Sequence, residues 1–351
     1  MSPSPVPVAI LGVSGFAGSE LARLIAEQPS LLLAGVAADR WQGQPLGAHV
    51  RLRGPAARLE VAPMNSALEV ARTAEVALLA TPAEVSARLA PELLARGVRV
   101  VDLSGAFRLQ DPAAYPRWYG FPHPAPELLA EAHYGLPEVP RASTAPDEAS
   151  RARLVANPGC YATAAILALA PLLAAGAIDP ASIYVDGKSG VSGAGRKVEE
   201  RLLFMEIDEN LSAYRIGDHQ HTPEIEQALG RVAARPVSVT FVPHLLPVKR
   251  GLLVTAFARL SGAVAPEEIP GLYARYFDPE GLVETCRPEE VTLARVAHTP
   301  LARLGARADA ERGTVVVTSA LDNLLKGAAS QALQNLCTMV GAPPLERRGA
   351  L

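Results

Sequence analysis

The segment VANPGCYATA, residues 155–164, carries the strongest candidate for covalent chemistry: Cys160, directly after a Pro-Gly turn and directly before an alanine-rich helical run. A thiol at a helix N-terminus sits among amide donors and at the positive end of the helix dipole, and both favour thiolate. Thiolate is the form that attacks an activated acyl carbon. An inert buried thiol whose turn merely starts a helix would show the same local pattern. Two polar clusters could serve such a nucleophile. In GKSGVSGAGRK, residues 187–197, backbone amides, the hydroxyl of Ser189, the amide of Gly190 and the charge of Arg196 could wrap oxyanion oxygens, although a surface loop would look similar. In GDHQHTPEIEQ, residues 217–227, His219 and His221 lie two apart before Pro223, with Glu224 and Glu226 in the helix that follows. A His-x-His pair invites zinc, but no Cys or third His stands nearby at ligand spacing, so no metal is expected. One histidine as acid/base near Cys160, with the other orienting the loop, asks less of the sequence.

A second chemistry is written near the start, as GVSGFAG, residues 12–18, between a strand and a helix. Gly12, Gly15 and Gly18 allow a tight turn and close approach of backbone to phosphate, and the helix N-terminus offers unpaired donors to a pyrophosphate. The spacing is GxxGxxG rather than GxGxxG, and glycines serving only a strand-to-helix turn would read alike. Asp39 and Arg40 end the next strand. A carboxylate there favours the ribose of NAD, whereas a guanidinium favours the 2′-phosphate of NADP, so residue chemistry alone leaves the cofactor open.

The elements that position these groups fall into two patterns. Up to residue 155, apolar strands at Val6–Leu11, Leu31–Ala37, Val76–Ala80 and Val98–Leu103 alternate with helices at Ser19–Gln28 and about Ala83–Arg96. Continuous apolar strands with intervening helices predict a parallel sheet covered on both faces, an α/β Rossmann domain. A helix at about Cys160–Ala175 follows, then strands at Ser182–Asp186, Val237–Phe241, Leu252–Leu260, Val291–Val296 and Thr314–Ser319. These predict a mostly antiparallel α+β domain. A last helix runs over roughly Asn323–Leu336, and the Pro/Ala-rich stretch Pro137–Ala149 reads as a surface loop.

Composition narrows the function classes. With 351 residues the chain has room for two domains, and 49% hydrophobic against 20% charged residues excludes wholesale disorder. A formal net charge of -3, without runs of one sign, gives no reason to expect nucleic acid or an anionic membrane as partner. No apolar run approaches the ~18 residues of a spanning helix, and the N-terminus lacks a signal-peptide pattern. Three scattered cysteines fit a reducing cytoplasm, with Cys286 and Cys337 expected as buried small hydrophobes.

Taken together, GVSGFAGSEL, VDLSGAFRL (101–109), ANPGCYAT, KSGVSGAGR, HQHTPEIEQ, FVPHLLPVKRG (241–251) and DNLLKGAASQA (322–332) make the whole chain resemble the N-acetyl-gamma-glutamyl-phosphate reductases of arginine biosynthesis. The resemblance implies NADPH-dependent reduction of N-acetyl-gamma-glutamyl phosphate to N-acetylglutamate semialdehyde. It implies a Rossmann NADP-binding domain over 1–155, a glyceraldehyde-phosphate-dehydrogenase-like catalytic and oligomerisation domain over 156–322, and a C-terminal segment, 323–351, returning to the first. It makes Cys160 the nucleophile and His221 the acid/base. Arg108, Ser189, Gly190 and Arg196 fall at substrate-contact positions, while Gly12, Ser14, Gly15, Phe16, Ala17, Gly18, Arg40 and Asn323 fall at cofactor positions. A homodimer or homotetramer is the implied assembly. Carrier-linked aminoadipyl- or glutamyl-phosphate reductases would use the same chemistry, but ANPGCYAT and SGVSGAGR are closer to the acetylglutamyl form. Asp39 stands where a serine is common, and Gln220 where an arginine is usual.

Overall fold

The computed structural model describes residues 4–143, 149–196 and 198–347. The first three residues, positions 144–148 of the Pro/Ala-rich stretch, Lys197 and the last four residues of the C-terminal segment lie outside the described residues. The chain divides into two compact units: 1–135, 145–158 and 328–345 form the first, and 136–144, 159–327 and 346–351 the second.

The first unit is built on a six-stranded sheet. Its strands are β1 (Val6–Leu11), β2 (Leu31–Ala37), β3 (Val76–Leu79), β4 (Arg99–Asp102), β5 (His133–Tyr134) and β6 (Leu154–Ala156), in the order β2-β1-β3-β4-β6-β5. Every pairing is parallel. Val8 to Leu11 and Val76 to Leu79 have no exposed surface, as expected of strands buried on both faces. Because β2 and β3 flank β1 on opposite sides, the order of connection reverses at the C-terminal end of β1. In open parallel sheets that is where ligands bind. The helix Phe16–Ala26 begins at that point, and Ser330–Val340 also belongs to this unit.

The second unit holds a seven-stranded sheet of β7 (Ile183–Gly190), β8 (Ser212–Ala213), β9 (Val239–Leu246), β10 (Leu252–Arg259), β11 (Val283–Thr285), β12 (Ala302–Asp309) and β13 (Thr314–Leu321). The order is β11-β12-β13-β10-β7-β9-β8, mostly antiparallel, with β7·β9 and β11·β12 parallel. The helix Cys160–Ala174 is buried from Tyr161 through Leu173, the signature of a helix that is apolar all round and lies inside a core. Its many alanines let neighbours approach closely; Tyr273 reaches it to donate a hydrogen bond to the Ala168 carbonyl at 2.6 Å.

Three expectations need correction. Val291–Val296 is not a strand: Pro288–Glu290 and Leu293–Arg295 are 3₁₀ turns, and Val291 and Val296 are loop anchors packed with Ala320. Their apolar content mimics a strand because they plug the core from a loop, while the strand of this region is β12, whose alanines and arginines dilute the signal. Cys286 is only half-buried, since it follows β11 at the edge of the sheet. Finally, the strand expected over Ser182–Asp186 runs on, as β7, to Gly190, so only 191–196 forms the turn.

The turn after β1 depends on glycine at two positions. Gly12 has φ +94°, and a Cβ there would lie 2.5 Å from the Ala80 carbonyl oxygen. A Cβ on Gly18 would lie 2.5 Å from the Gly12 carbonyl oxygen, so the first helical turn packs directly on the preceding loop. Gly43 also has positive φ, +71°, but has nothing within 4 Å of a Cβ. Gly43→Ala should therefore cost about 1 kcal/mol from backbone strain alone. Gly12→Ala should cost roughly 2–4 kcal/mol, because backbone must also move. Urea unfolding of the two variants checks this, and equal losses would show that the loop relaxes freely around Gly12.

Candidate active site

In the first unit the turn offers donors and no competing anion. Gly15 caps the helix with no side-chain hydrogen bond, and no acidic residue lies in the first turn. The Ser19 hydroxyl is turned back onto the Gly15 and Val13 carbonyls, at 2.8 and 3.1 Å. Ser14, Phe16 and Ala17 are half-buried around this helix start, while Asp39 and Arg40 are exposed after β2. A cradle of this kind, closed to any Cβ at Gly12 and Gly18, fits the pyrophosphate of a dinucleotide.

Arg108 lies in the same unit and is nearly buried, at 8% exposure. It donates from Nε to the Asn157 carbonyl at 2.8 Å and from a terminal nitrogen to the Leu103 carbonyl at 2.7 Å. The Asn157 amide in turn donates to the Asp102 carbonyl at 2.8 Å. Arg108 thus clamps the ends of β4 and β6. Burial raises the Asp102 pKa, opposed by hydrogen bonds from Ser104 and by the Arg108 charge.

In the second unit Cys160 is the first residue of its helix, half-buried, with Gly159 as cap. The Gly159 amide donates to Oε1 of Glu224 at 2.8 Å. A Cβ on Gly159 would collide with the His221 imidazole at Nε2, so the ring lies directly against the residue before the thiol. His221 and Glu224 share the first turn of the helix His221–Ala233, with Nε2 and Oε2 4.0 Å apart, and Glu224 is fully buried. The structure therefore brings Cys160, His221 and Glu224 into one cluster through Gly159.

The second histidine of the motif is held in a different state. His219 accepts a hydrogen bond at Nδ1 from the His221 backbone amide, 3.1 Å away, which requires an unprotonated Nδ1. Its ring is packed edge-on to Tyr161, Phe241 and Tyr214. Burial above all, then the His221 and Arg215 charges, lowers its pKa to about 2. Tyr214 had no role assigned from sequence; it lies close enough for a Cys160 thiolate to raise its pKa, second only to burial, to about 12. The other thiols are kept protonated by burial, Cys337 up to about 11 and Cys286 also upward.

Ser189 is buried at the end of β7, and Gly190 sits where a Cβ would lie 2.7 Å from the Val248 carbonyl oxygen. Asn323 holds the turn that follows: its Nδ2 donates to the Ser192 hydroxyl at 2.9 Å and its Oδ1 accepts from the Gly251 amide at 2.9 Å. Ser189, Gly193 and Asn323 converge there, whereas Arg196 is exposed at the far end of the turn. Glu224 and Tyr214 are the site residues that sequence reasoning left without a role. The i, i+3 spacing of His221 and Glu224 was a usable signal; nothing local pointed to Tyr214.

Residues 7–145 match the semialdehyde dehydrogenase NAD binding domain, and residues 160–323 match the semialdehyde dehydrogenase dimerisation domain. The chain is 43% identical over 334 residues to an N-acetyl-gamma-glutamyl-phosphate reductase of Dehalococcoides mccartyi, covering 95% of this chain and 94% of the relative. It is 43% identical over 341 residues to that of Desulforudis audaxviator, covering 96% of each. Among solved structures, aspartate semialdehyde dehydrogenase II of Vibrio cholerae superposes with a TM-score of 0.74 at 20% identity, over 96% of this chain and 99% of that one. These matches show a two-domain semialdehyde dehydrogenase fold with an NAD(P)-binding Rossmann domain. No helix among the described residues is long and apolar enough to cross a membrane.

The state of His219 has a measurable consequence. In the unfolded chain its imidazole protonates near pH 6.5, while the folded group stays neutral down to about 2. As pH falls below ~6.5, only the unfolded state gains this proton, so stability drops by roughly 1.4 kcal/mol per pH unit. Between pH 7.5 and 5, His219→Gln should lose about 2 kcal/mol less than the parent protein in urea unfolding. Equal acid sensitivity would mean that folded His219 accepts a proton.

Proposed function

The chain belongs to the N-acetyl-gamma-glutamyl-phosphate reductase family, and on that footing we propose that it reduces N-acetyl-gamma-glutamyl phosphate to N-acetylglutamate semialdehyde through a thioester on Cys160, as a step of arginine biosynthesis. The observation that carries this reading is the cluster at the start of the Cys160 helix. There a helix N-terminus favours thiolate, His221 lies against Gly159, and Glu224 holds the Gly159 amide.

Cys160 Sγ attacks the acyl carbon, the bond to the phosphate oxygen breaks, and inorganic phosphate leaves behind a thioester. The Gly12–Gly18 turn and Arg40 would hold NADPH, which would supply the hydride for reduction of the acyl carbon. His221 donates a proton to the oxygen of the resulting thiohemiacetal. Loss of that proton and cleavage of the carbon–sulfur bond release the aldehyde and restore the thiolate. The turn after Ser189 and Gly190, with Arg196 at its end, is assigned to the phosphate and carboxylate of the substrate, as is Arg108. The match of 160–323 to a dimerisation domain supports a homo-oligomer.

The test is run in the oxidative direction with N-acetylglutamate semialdehyde, inorganic phosphate and NADP or NAD. Phosphate-dependent formation of reduced cofactor is expected. Cys160→Ser should lower turnover at least ~100-fold while leaving cofactor affinity within about twofold, because oxygen is the poorer nucleophile and the nucleotide turn is untouched. Near-parental turnover would remove Cys160 from the covalent role.

Cofactor preference is assigned to Arg40 in spite of Asp39 beside it, because only a 2′-phosphate gains a charge-assisted bond there. Arg40→Ala should weaken NADPH by about 1–3 kcal/mol, or roughly 5- to 150-fold, and NADH far less. Calorimetric titration of both cofactors decides it. Equal losses would make Arg40 structural, and tighter NADH binding by the parent protein would hand specificity to Asp39.

A further inference from the structure

We propose that Lys326 is a positioning residue for the thiol: paired with Glu138 inside the second unit, it holds the π-helical turn that seats Gly327 against Cys160. The proposal rests on the reading of Cys160 as the reacting thiol. Lys326 has no exposed surface, and its Nζ lies 2.5 Å from Oε1 of Glu138, itself only 10% exposed. Placing an ammonium there is costly unless it is paired, and an isolated lysine side chain at such a site would be replaced by an apolar one without loss of packing. The position demands explanation beyond core filling.

The turn itself supplies one. Residues Leu325–Ala329 form a single π-helical turn, a form that costs backbone energy and recurs at functional sites. The Gly327 amide donates to the Asp322 carbonyl at 2.9 Å, five residues back. The fully buried Asp322 side chain holds the start of the turn, accepting from the Leu324 and Leu325 amides at 2.8 and 3.1 Å. Lys326, the next residue, ties the same turn to Glu138. Directly after it Gly327 is pressed so close that a Cβ on it would lie 2.7 Å from Cys160 Cβ and 3.2 Å from its Cα.

Backbone thus forms the wall behind the nucleophile. Cys160 is the first residue of its helix, where no preceding helical turn restricts χ1, so a wall behind it narrows the directions open to Sγ. A displacement of about 1 Å in a reacting atom is enough to cost ~100-fold in rate. Burial pushes the Lys326 pKa down, opposed by the Glu138 charge, so the carboxyl also serves to keep the ammonium charged.

Two variants test the idea in the full-length protein. Lys326→Met breaks the pair and leaves Glu138 buried. Lys326→Met/Glu138→Leu removes both charges of the pair, so neither is left buried without the other. Three quantities are read: kcat and KM for the semialdehyde, the pH profile of Cys160 alkylation by iodoacetamide, and the unfolding midpoint. In the double variant, kcat should fall at least ~10-fold with KM within about twofold, and the alkylation rate at pH 7 should change several-fold, although the unfolding midpoint stays near that of the parent. Parental kcat and alkylation in a folded variant would overturn the positioning role and leave Lys326 structural. If alkylating Cys160 in the parent protein leaves activity intact, the nucleophile assignment fails instead, and the two failures are told apart.

Discussion

The hydrogen bond from the Gly159 amide to Glu224 is the interaction on which the thiol cluster depends. Gly159 precedes Cys160, and Glu224 belongs to a helix that starts 61 residues after Cys160 in sequence, at His221. A fully buried carboxyl group is tolerated only when its oxygens are satisfied, so the contact fixes both partners. It also explains why residue 159 is glycine: the His221 ring, carried by the same helix, occupies the space a Cβ would need. One buried side chain thereby sets the distance between the helix that carries the thiol and the helix that carries the imidazole. The alanine-rich interior of the Cys160 helix serves the same end, because small residues let the neighbouring helix approach closely.

The nucleotide turn of the first unit is governed by a related constraint, with backbone in place of a carboxyl. Gly12 and Gly18 are spaced so that the β1 strand end, the loop beyond β3 and the first turn of the helix touch without side chains between them. This keeps side chains out of the space around the helix start, where an anion would be recognised. Arg108 extends the same economy to the ends of β4 and β6, where it ties two carbonyl groups with one guanidinium.

Much of this architecture was legible in the sequence because its strongest signals are local. The strands Val6–Leu11 and Leu31–Ala37 are uninterrupted apolar runs and were read to the residue. The helix from Cys160 is announced by the Pro-Gly turn and by its alanine and leucine content, and ends within one residue of the expected place. Where the reading failed, the competing signal was tertiary. Val291 and Val296 are apolar because they anchor a loop, and β12 escaped notice because ARLGARAD alternates only weakly. At the candidate site the i, i+3 spacing of His221 and Glu224 was visible, but that Glu224 would accept the Gly159 amide was not. Tyr214 and Glu138 were invisible for the same reason: each acquires its meaning from a partner many residues away, and no periodicity encodes such a pair.

The two histidines show how one short motif yields two different groups. His219 and His221 are separated by one residue, yet His219 is surrounded by three aromatic rings and spends Nδ1 on the backbone amide of His221. Burial above all lowers the pKa of His219, and the same imidazole orients the residue that carries the other ring. His219 is thereby committed to supporting the backbone of its neighbour. The difference follows from packing: Tyr161, which closes over His219, is the residue next to Cys160 and lies in the same buried helix. The thiol, its helix and the neutral histidine are therefore one packed assembly, and His221 lies against the turn just before the thiol.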